Sequence, residues 1–312
     1  MPVTTTATPL TLRNVRGEYF LALNQQLGAS WARMVASLFP TDQPQEQYPW
    51  LGASPNLRKW EGERTVRELR SDTITIVNDD YETGIEFRLP DLRRDKTGQM
   101  IGRVRDMATR VAMFPERLLT DLLVANGNAY DGVAYFADSH AVGSSGTIDN
   151  NIGTGDGTAG GAAPTTAQMS ANILTALQRL MSFRDDQGEP LNESARQFAL
   201  MAPPNLWGPA VAAIQSDFTS ASASNPLAEL RSVGVQIVPM VNARLTATNT
   251  FYMFRTDAGI RPFIVQEEGV MPVELGPDSE RAAMTNRAYF GHGWRGGAGY
   301  GRFELAVRVA TS

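Results

Sequence analysis

His140 and His292 are the only imidazoles in a chain that has no cysteine. Catalysis by a base–nucleophile pair such as Ser-His must therefore run through one of them. The strand-to-helix elbow that presents a serine nucleophile needs Gly-x-Ser-x-Gly, and Gly143-Ser144-Ser145-Gly146 has the wrong spacing. Each histidine reads as a loop or interface residue. Without thiols there is neither a disulfide framework nor a thiolate zinc site.

Two stretches fit Gly-x-Gly-x-x-Gly, namely Gly155 to Gly160 and Gly291 to Gly296. A dinucleotide site needs a strand before the glycines and a helix N-terminus directly after them, because the helix end holds the pyrophosphate. The first match follows polar loop and is parted from its helix by Pro164; the second runs into more glycine and a strand. They read as a flexible loop and a tight strand connection. The pairs Asp79-Asp80, Asp185-Asp186 and Glu267-Glu268 are adjacent in sequence, which suits turns and solvated faces better than convergence on one substrate. Asp149, Asn150, Asn151 and Asp156 lack the spacing of an EF-hand loop. No residue is assigned to catalysis, to a cofactor or to a metal.

The elements around these residues mix helix and strand without a βαβ rhythm, which predicts an α+β fold. Tyr19, Phe20, Leu23 and Leu27 recur at helical spacing; Gly28 interrupts, and Trp31, Met34, Val35 and Leu38 resume until Pro40, Pro44 and Pro49 end the helix. A polar Thr-rich tail precedes it, so this first stretch predicts a docking arm. Ile74 and Ile76 alternate with threonines, Asn78-Asp79-Asp80 forms a turn, and Tyr81, Thr83, Ile85, Phe87 and Leu89 alternate with Glu82, Gly84, Glu86 and Arg88. The charged segment from Arg58 to Arg70 is too polar for a core and predicts a projecting loop or hairpin.

Residues 100–125 carry the strongest helical stripe: Ile101, Val104, Met107, Ala108 and Val111, then Leu118, Leu119, Leu122 and Leu123. Pro115 must bend it near Phe114 and start the second piece. The Gly/Ser/Thr/Asn-rich run from His140 to Thr166 predicts a loop unable to order itself, mobile or variable among copies over 144–163. Thr165 and Gln168 then stand as a capping box for a helix with Ile173, Leu174, Leu177, Leu180 and Met181 on one face, ended by Asp185-Asp186-Gln187-Gly188. A buried strand at 198–201, a helix begun at Pro203-Pro204-Asn205 and short strands near 235–238, 251–254 and 263–265 follow. Phe303, Leu305, Val307 and Val309 alternate as a closing strand.

Composition narrows the function classes. At 312 residues the chain can bury a large core unaided. Its net charge of −5 and pI near 5.2 disfavour a sequence-independent duplex binder. Of 28 basic residues only Lys59 and Lys96 are lysines, a bias that fits paired arginine–carboxylate contacts at interfaces and equally a GC-rich genome. The opening Met1-Pro2-Val3-Thr4-Thr5-Thr6 has no signal-peptide pattern and no run of about 18 apolar residues occurs, which predicts a soluble chain made in the cytoplasm.

Several stretches resemble the Mu-like phage major head subunit family, and in family order. They are Tyr48-Pro49-Trp50-Leu51-Gly52, Leu57-Arg58-Lys59-Trp60-Glu61-Gly62-Glu63-Arg64, Tyr130-Asp131-Gly132-Val133 with Asp138-Ser139-His140, Phe183-Arg184-Asp185-Asp186-Gln187-Gly188-Glu189-Pro190-Leu191, Met201-Ala202-Pro203-Pro204 and Arg295-Gly296-Gly297-Ala298-Gly299-Tyr300-Gly301. That family is similar in fold to the Hong Kong 97 phage capsid protein. The resemblance implies an N-terminal arm over 1–46, an E-loop over 47–80, a P-domain with a long spine helix over 81–140, an A-domain over 141–259, and return strands to the P-domain over 260–312, beside Tyr81 to Leu89.

It also implies a non-enzymatic major capsid protein of a tailed double-stranded DNA phage, assembling in the host bacterial cytoplasm into hexamers and pentamers of an icosahedral virion shell. Its expected partners are further copies of the chain, portal, scaffold or protease and decoration proteins, and packaged DNA held without sequence-specific binding; an acidic subunit is consistent with that. No cofactor and no membrane enter. Leu57, Arg58, Lys59, Trp60 and Arg64 are the expected E-loop contacts, since Trp60 and Leu57 would stay wet on an isolated loop. Lys59, ion-paired among Arg58, Glu61 and Glu63, is not expected to seal the shell covalently. The rival readings are an encapsulin-type nanocompartment shell and, more distantly, a soluble hydrolase with an unrecognised carboxylate site.

Overall fold

The computed structural model describes residues 12–51, 71–94, 98–220, 223–268, 272–275 and 279–312. Helix α1 (Leu12–Ala29) turns Val15, Tyr19 and Ala22 inward, and a single turn, α2 (Ala32–Val35), follows a break at Ser30. The buried carboxylate of Glu116 holds that break, accepting from the Ser30 hydroxyl at 2.9 Å and the Trp31 N–H at 3.1 Å. The helix expected to continue through Leu38 stops at Val35. Ala36 is already extended (φ −122°, ψ 141°) and opens β1 (Ala36–Pro40), because pairing with a distant strand satisfies this backbone better than local helical spacing does.

Strands β2 (Gln45–Leu51) and β3 (Ser71–Val77) form a two-stranded antiparallel ribbon, Gln45 opposite Val77 and Leu51 opposite Ser71. The expected turn at 78–80 is a one-residue kink: Asn78 alone separates β3 from β4 (Asp79–Arg88). Phe87 is buried on β4 while Glu82, Glu86 and Arg88 are exposed, the half-buried alternation the sequence predicts. Leu89 leaves the strand and starts α3 (Leu89–Arg94). The long amphipathic stretch is two helices, α4 (Gln99–Ala112) and α5 (Phe114–Ala125), parted at Met113 (φ −86°, ψ 2°) with Pro115 in the first turn of α5. A proline there lacks only an N–H that has no intrahelical partner anyway.

The remaining elements are short strands β5 (His140–Ala141), β6 (Thr147–Ile148) and β7 (Asn151–Ile152), then α6 (Thr166–Ser182), β8 (Gln197–Ala202), α7 (Pro204–Gln215), β9 (Phe218–Ser220), β10 (Ala223–Ser224), α8 (Pro226–Ser232), β11 (Gln236–Val241), β12 (Thr250–Arg255), β13 (Phe263–Glu268), β14 (Pro272–Leu275), α9 (Glu280–Thr285), β15 (Arg287–Tyr300) and β16 (Ala306–Ala310). Two mixed sheets organise them. In the first, β15 pairs antiparallel with β4 along one edge and with β13 and β14 along the other, and β1 lies parallel outside β13. The second runs β11-β8-β12-β16-β7.

The main core joins β8 and β12 to α6 and α7 and reaches Leu119 and Leu123 of α5 and Phe263 of β13. A smaller core sets Val15 and Tyr19 of α1 against Val104, Met107 and Ala108 of α4, with Phe87 and Phe290 beneath. On α6 the capping box forms as predicted, Thr165 with Gln168, but Met181 is exposed and Met169, Ile173, Ala176 and Leu180 form the inner face.

Three expectations need correction. The glycines from Gly291 to Gly296 lie inside the 14-residue strand β15 and do not make a strand connection. The closing alternation is strand only from Ala306. Phe303 to Leu305 form a 3-10 turn, because the side chains of Asn150 and Asn192 take the carbonyls of Phe303 (3.3 Å) and Glu304 (2.9 Å) that a ladder would use. β16 then enters the second sheet, so the strand beside Tyr81 to Arg88 is β15 and not the chain's last.

The polar run at 140–166 is stitched down, contrary to the expectation that it could not order itself. Fully buried Asn150 accepts from the Ala137 N–H (2.9 Å) and donates to the Tyr135 carbonyl (2.8 Å), Thr158 donates to the Ala310 carbonyl (2.8 Å), and Ile148 and Ile152 enter the core. Small polar residues order a loop when each finds a buried partner. Asn150→Ala should therefore lower unfolding free energy by about 2–4 kcal/mol, several partners being orphaned at once, whereas Thr165→Ala should lower it by about 1 kcal/mol. Denaturant titration of the two variants checks the ranking.

Candidate functional site

Leu57, Arg58, Lys59, Trp60 and Arg64 lie outside the described residues. What is described is the base of the hairpin that carries them, and it is fastened to the first sheet by polar and steric means. Gln266 of β13 is fully buried and both ends of its amide are engaged: Oε1 accepts from the Tyr48 hydroxyl of β2 at 3.0 Å, and Nε2 donates to the Ile76 carbonyl of β3 at 3.0 Å and to Asn78 Oδ1 at 2.6 Å. Asn78 in turn donates to the Gln43 carbonyl at 2.6 Å, and its N–H to the Pro44 carbonyl at 2.9 Å. Burial, with the charge of Glu46 behind it, pushes the Tyr48 hydroxyl up to about 12, so it remains a donor. One side chain thus ties both hairpin strands and the kink to the sheet.

Steric room for this comes from β15. A Cβ on Gly297 would stand 2.3 Å from the Val77 carbonyl oxygen, and one on Gly299 would stand 2.4 Å from Ile76 Cδ1. The first clash is with backbone, which cannot swing aside. Only a strand bare of side chains lets β3 lie directly on the sheet. Burying Ile76 there, at 5% exposure, contributes about 1.5–3 kcal/mol.

The histidines are both structural in their surroundings. His140 is fully buried, with Nδ1 2.6 Å from Asp131 Oδ2, Nε2 3.2 Å from the Tyr135 carbonyl, and its ring stacked at 3.8 Å on Phe303. Burial acts to raise the Asp131 carboxyl, but the bonds from His140 and the Val133 N–H outweigh it and hold that carboxyl below its ordinary value. Asp–His is two thirds of a catalytic triad, yet the nitrogen that would serve a serine is spent on a carbonyl. Sequence reasoning did not pair these two, though both sit in the Tyr130 to His140 motif, where a nine-residue separation gave no periodic signal.

His292, 7% exposed, packs its ring 5.6 Å from that of Tyr19 under α1, and neither its Nδ1 nor the Tyr19 hydroxyl has a hydrogen-bond partner among the described residues. The acidic pairs serve locally: Asp185 accepts from the N–H groups of Gln187 and Glu189 at 2.8 and 2.9 Å, and Asp80 and Glu268 flank Arg295 at 3.4 and 3.2 Å. Asp149 pairs with Arg179, and Asp156 accepts from the Gly153 N–H at 2.8 Å. Among the described residues no three histidine, aspartate or glutamate side chains gather as a ligand set, and no helix is long and apolar enough to cross a membrane.

Residues 12–163 match the family model described as "Mu-like prophage major head subunit gpT". The chain is 27% identical over 111 residues to the Mu-like prophage FluMu major head subunit of Haemophilus influenzae, covering 35% of this chain and 36% of that one. It is 29% identical over 97 residues to the major capsid protein of Escherichia phage Mu, covering 30% and 32%. These alignments span about a third of the curated relatives' length. In fold it is similar to the procapsid protein of bacteriophage JBD30 (TM-score 0.52, 16% identity, 98% of this chain and 77% of that one). It is likewise similar to the mature capsid of bacteriophage PhiM1 (TM-score 0.56, 13% identity, 91% and 87%), and to a virus-like particle from Pyrococcus furiosus (TM-score 0.54, 9% identity, 95% and 98%).

Gly297→Val should free the ribbon from the sheet, seen as faster amide exchange over 45–51 and 71–77 while α6 and β8 keep wild-type protection. A second expectation concerns acid. Burial holds the His292 imidazole below its ordinary value of 6.5, so the folded protein keeps it neutral. As pH falls through 6.5 the unfolded or undocked form takes up a proton that the folded site refuses, and stability present above that pH is lost. As pH falls from about 7 to 5 the protection of the α1 amides, taken relative to the intrinsic exchange rate at each pH, should decrease. His292→Phe, which keeps a ring and removes the titration, should flatten that slope.

Proposed function

We propose that this chain, a relative of the Mu-like prophage major head subunits with the Hong Kong 97-type capsid fold, is the major capsid protein of a tailed double-stranded DNA phage. Copies of it close into pentamers and hexamers of an icosahedral head around the packaged genome. The observation that carries the reading is a contiguous head-subunit match over 12–163 on a chain that resembles phage capsid proteins in fold along more than nine-tenths of its length. That match favours a phage head over a nanocompartment shell, whose fold is shared. We assign no catalytic role: the one buried Asp–His pair is closed off by Tyr135 and Phe303.

Within this reading residues 1–46 are the arm, 47–80 the E-loop, 81–140 a P-domain whose spine is α4 and α5, and 141–259 the A-domain. Residues 260–300 return to the P-domain sheet, and the strand at 306–310 goes with the A-domain, following its pairing with β12. Leu57, Arg58, Lys59, Trp60 and Arg64 are the contacts the E-loop offers a neighbouring copy. Portal, scaffold or protease, and decoration proteins complete the partner set, and DNA is enclosed without sequence-specific contacts. The particle's site is the virion shell, built in the bacterial cytoplasm.

Electron microscopy and sedimentation of the purified protein test this. Rings of five and six or closed megadalton shells are expected, and Trp60→Ala should fold with wild-type circular dichroism yet yield few closed shells. A small oligomer under every assembly condition would contradict the assignment.

A further inference from the structure

At the junction of α4, α5, β4 and β15 a cavity of about 400 Å³ opens between the first sheet and the two helices, lined by Tyr81, Phe114, Trp294 and Met113 and bordered by Arg110, Arg117 and Arg244. Its floor is aromatic: the ring centroids of Tyr81 and Phe114 lie 4.6 Å apart, Phe114 and Trp294 5.1 Å, and Tyr81 and Trp294 5.6 Å. The smaller features are as telling. Buried His292 lines the same cavity, with Nδ1 unpartnered among the described residues. Among those residues Arg110 and Arg244 make no ion pair, and Arg117 only an exposed one to Asp121 at 3.9 Å. The one carboxylate at the border is Glu82.

From these features we propose that the cavity docks an acidic peptide segment of a second protein of the particle, an aromatic or large aliphatic side chain seating on the floor made by Tyr81, Phe114 and Trp294 while flanking carboxylates pair with Arg110 and Arg244. The inference rests on the shell reading, which supplies the partner. Charge complementarity selects the chemistry. A local excess of arginine on a chain of net charge −5 is suited to a carboxylate, which the planar guanidinium fork binds bidentately. A buried aromatic anchor ringed by polar contacts is how a small interface acquires its affinity.

The chain's own segments fit poorly. Residues 52–70 carry Arg58, Lys59, Arg64, Arg67 and Arg70 against Glu61, Glu63 and Glu68, so Trp60 would bring excess positive charge to an arginine border. Phe218 is 65% exposed beside an acid, but that acid, Asp217, is already paired with Arg231 at 2.6 Å. Nucleic acid would also find arginines and rings here, but the three rings pack on one another as a single patch, whereas a strand needs a groove along which successive bases stack.

The test uses the whole purified protein and, separately, assembled shells, with a labelled Asp-Glu-Phe-Glu-Asp peptide as the probe. Comparison probes are Lys-Lys-Phe-Lys-Lys, Asp-Glu-Ala-Glu-Asp and a ten-nucleotide single strand; binding is read by anisotropy of the labelled probe. The acidic Phe peptide is expected to bind at least about tenfold more tightly than either other peptide and to weaken in high salt. The double variant Arg110→Gln/Arg244→Gln, two exposed changes, should fold, form shells at wild-type yield and bind it at least tenfold less well. Preference for the oligonucleotide, equal binding of the basic peptide, or unchanged affinity in the double variant overturns the proposal. Loss of shells in the double variant also overturns it, because the cavity would then be an interface between copies. Shells without peptide binding would defeat this inference and leave the capsid reading standing.

Discussion

Gly297 has no side chain, and the Val77 carbonyl occupies the space one would fill. That single close approach lets β3 rest on the first sheet and brings the Ile76 carbonyl and Asn78 within reach of Gln266, which fixes where the ribbon of β2 and β3 lies on that sheet. The arrangement is stable because each part supports the next. A buried amide with all its bonds made contributes roughly 1 kcal/mol per bond, while one left unpaired costs about 1–3 kcal/mol, so Gln266 has little tolerance for an alternative hairpin position.

The opposite holds for α1. Its contact with α4 and β15 is apolar in Val15, Tyr19 and Ala22, yet it buries the Tyr19 hydroxyl and His292 Nδ1 without partners among the described residues. Such groups weaken a dock that the surrounding hydrophobic area supports. The fold therefore sets a ribbon whose buried polar groups are paired beside a helix that leaves two buried polar atoms unpaired among the described residues and is tied to α4 by the exposed Arg105–Glu18 pair at 2.7 Å. Between them, the break at Met113 before Pro115 aims α5 into the main core through Leu119 and Leu123 while α4 stays with the smaller one.

The elements that could be read in the sequence were those whose signal is local. The capping box at Thr165 and Gln168, the bend before Pro115 and the alternation from Tyr81 to Phe87 follow from periodicity and backbone chemistry within a few residues. What was missed depended on distant partners. Leu38 has helical spacing but lies on a strand because Phe263 to Glu267 offer a ladder. The run at 140–166 has few apolar residues, and nothing within it says that Ala310, Tyr135 and Phe303 will supply its hydrogen bonds. The glycines from Gly291 to Gly296 read as a tight strand connection because strand glycine is rare, and the reason for bare positions at Gly297 and Gly299, the ribbon crossing over β15, lies more than 200 residues earlier in the chain. Of the site itself, the extended character of the stretch from Tyr48 and the alternation at Ile74 and Ile76 were legible, and both fall on the paired strands β2 and β3; the clamp at Gln266 was not.

On the proposed capsid reading, the clamp at Gln266, by holding β2 and β3 on the first sheet, is what makes the folded chain competent to assemble. Gln266→Leu separates the two properties, since it keeps the side chain's bulk and removes the bonds to Tyr48, Ile76 and Asn78. Sedimentation velocity of that variant beside the wild type, with amide exchange over 45–51 and 71–77 on the same samples, is the direct measurement. The account predicts a folded variant whose ribbon exchanges faster and which stays in the light fraction under conditions where the wild type forms shells. Shells at wild-type yield from a variant whose ribbon has demonstrably loosened would contradict it.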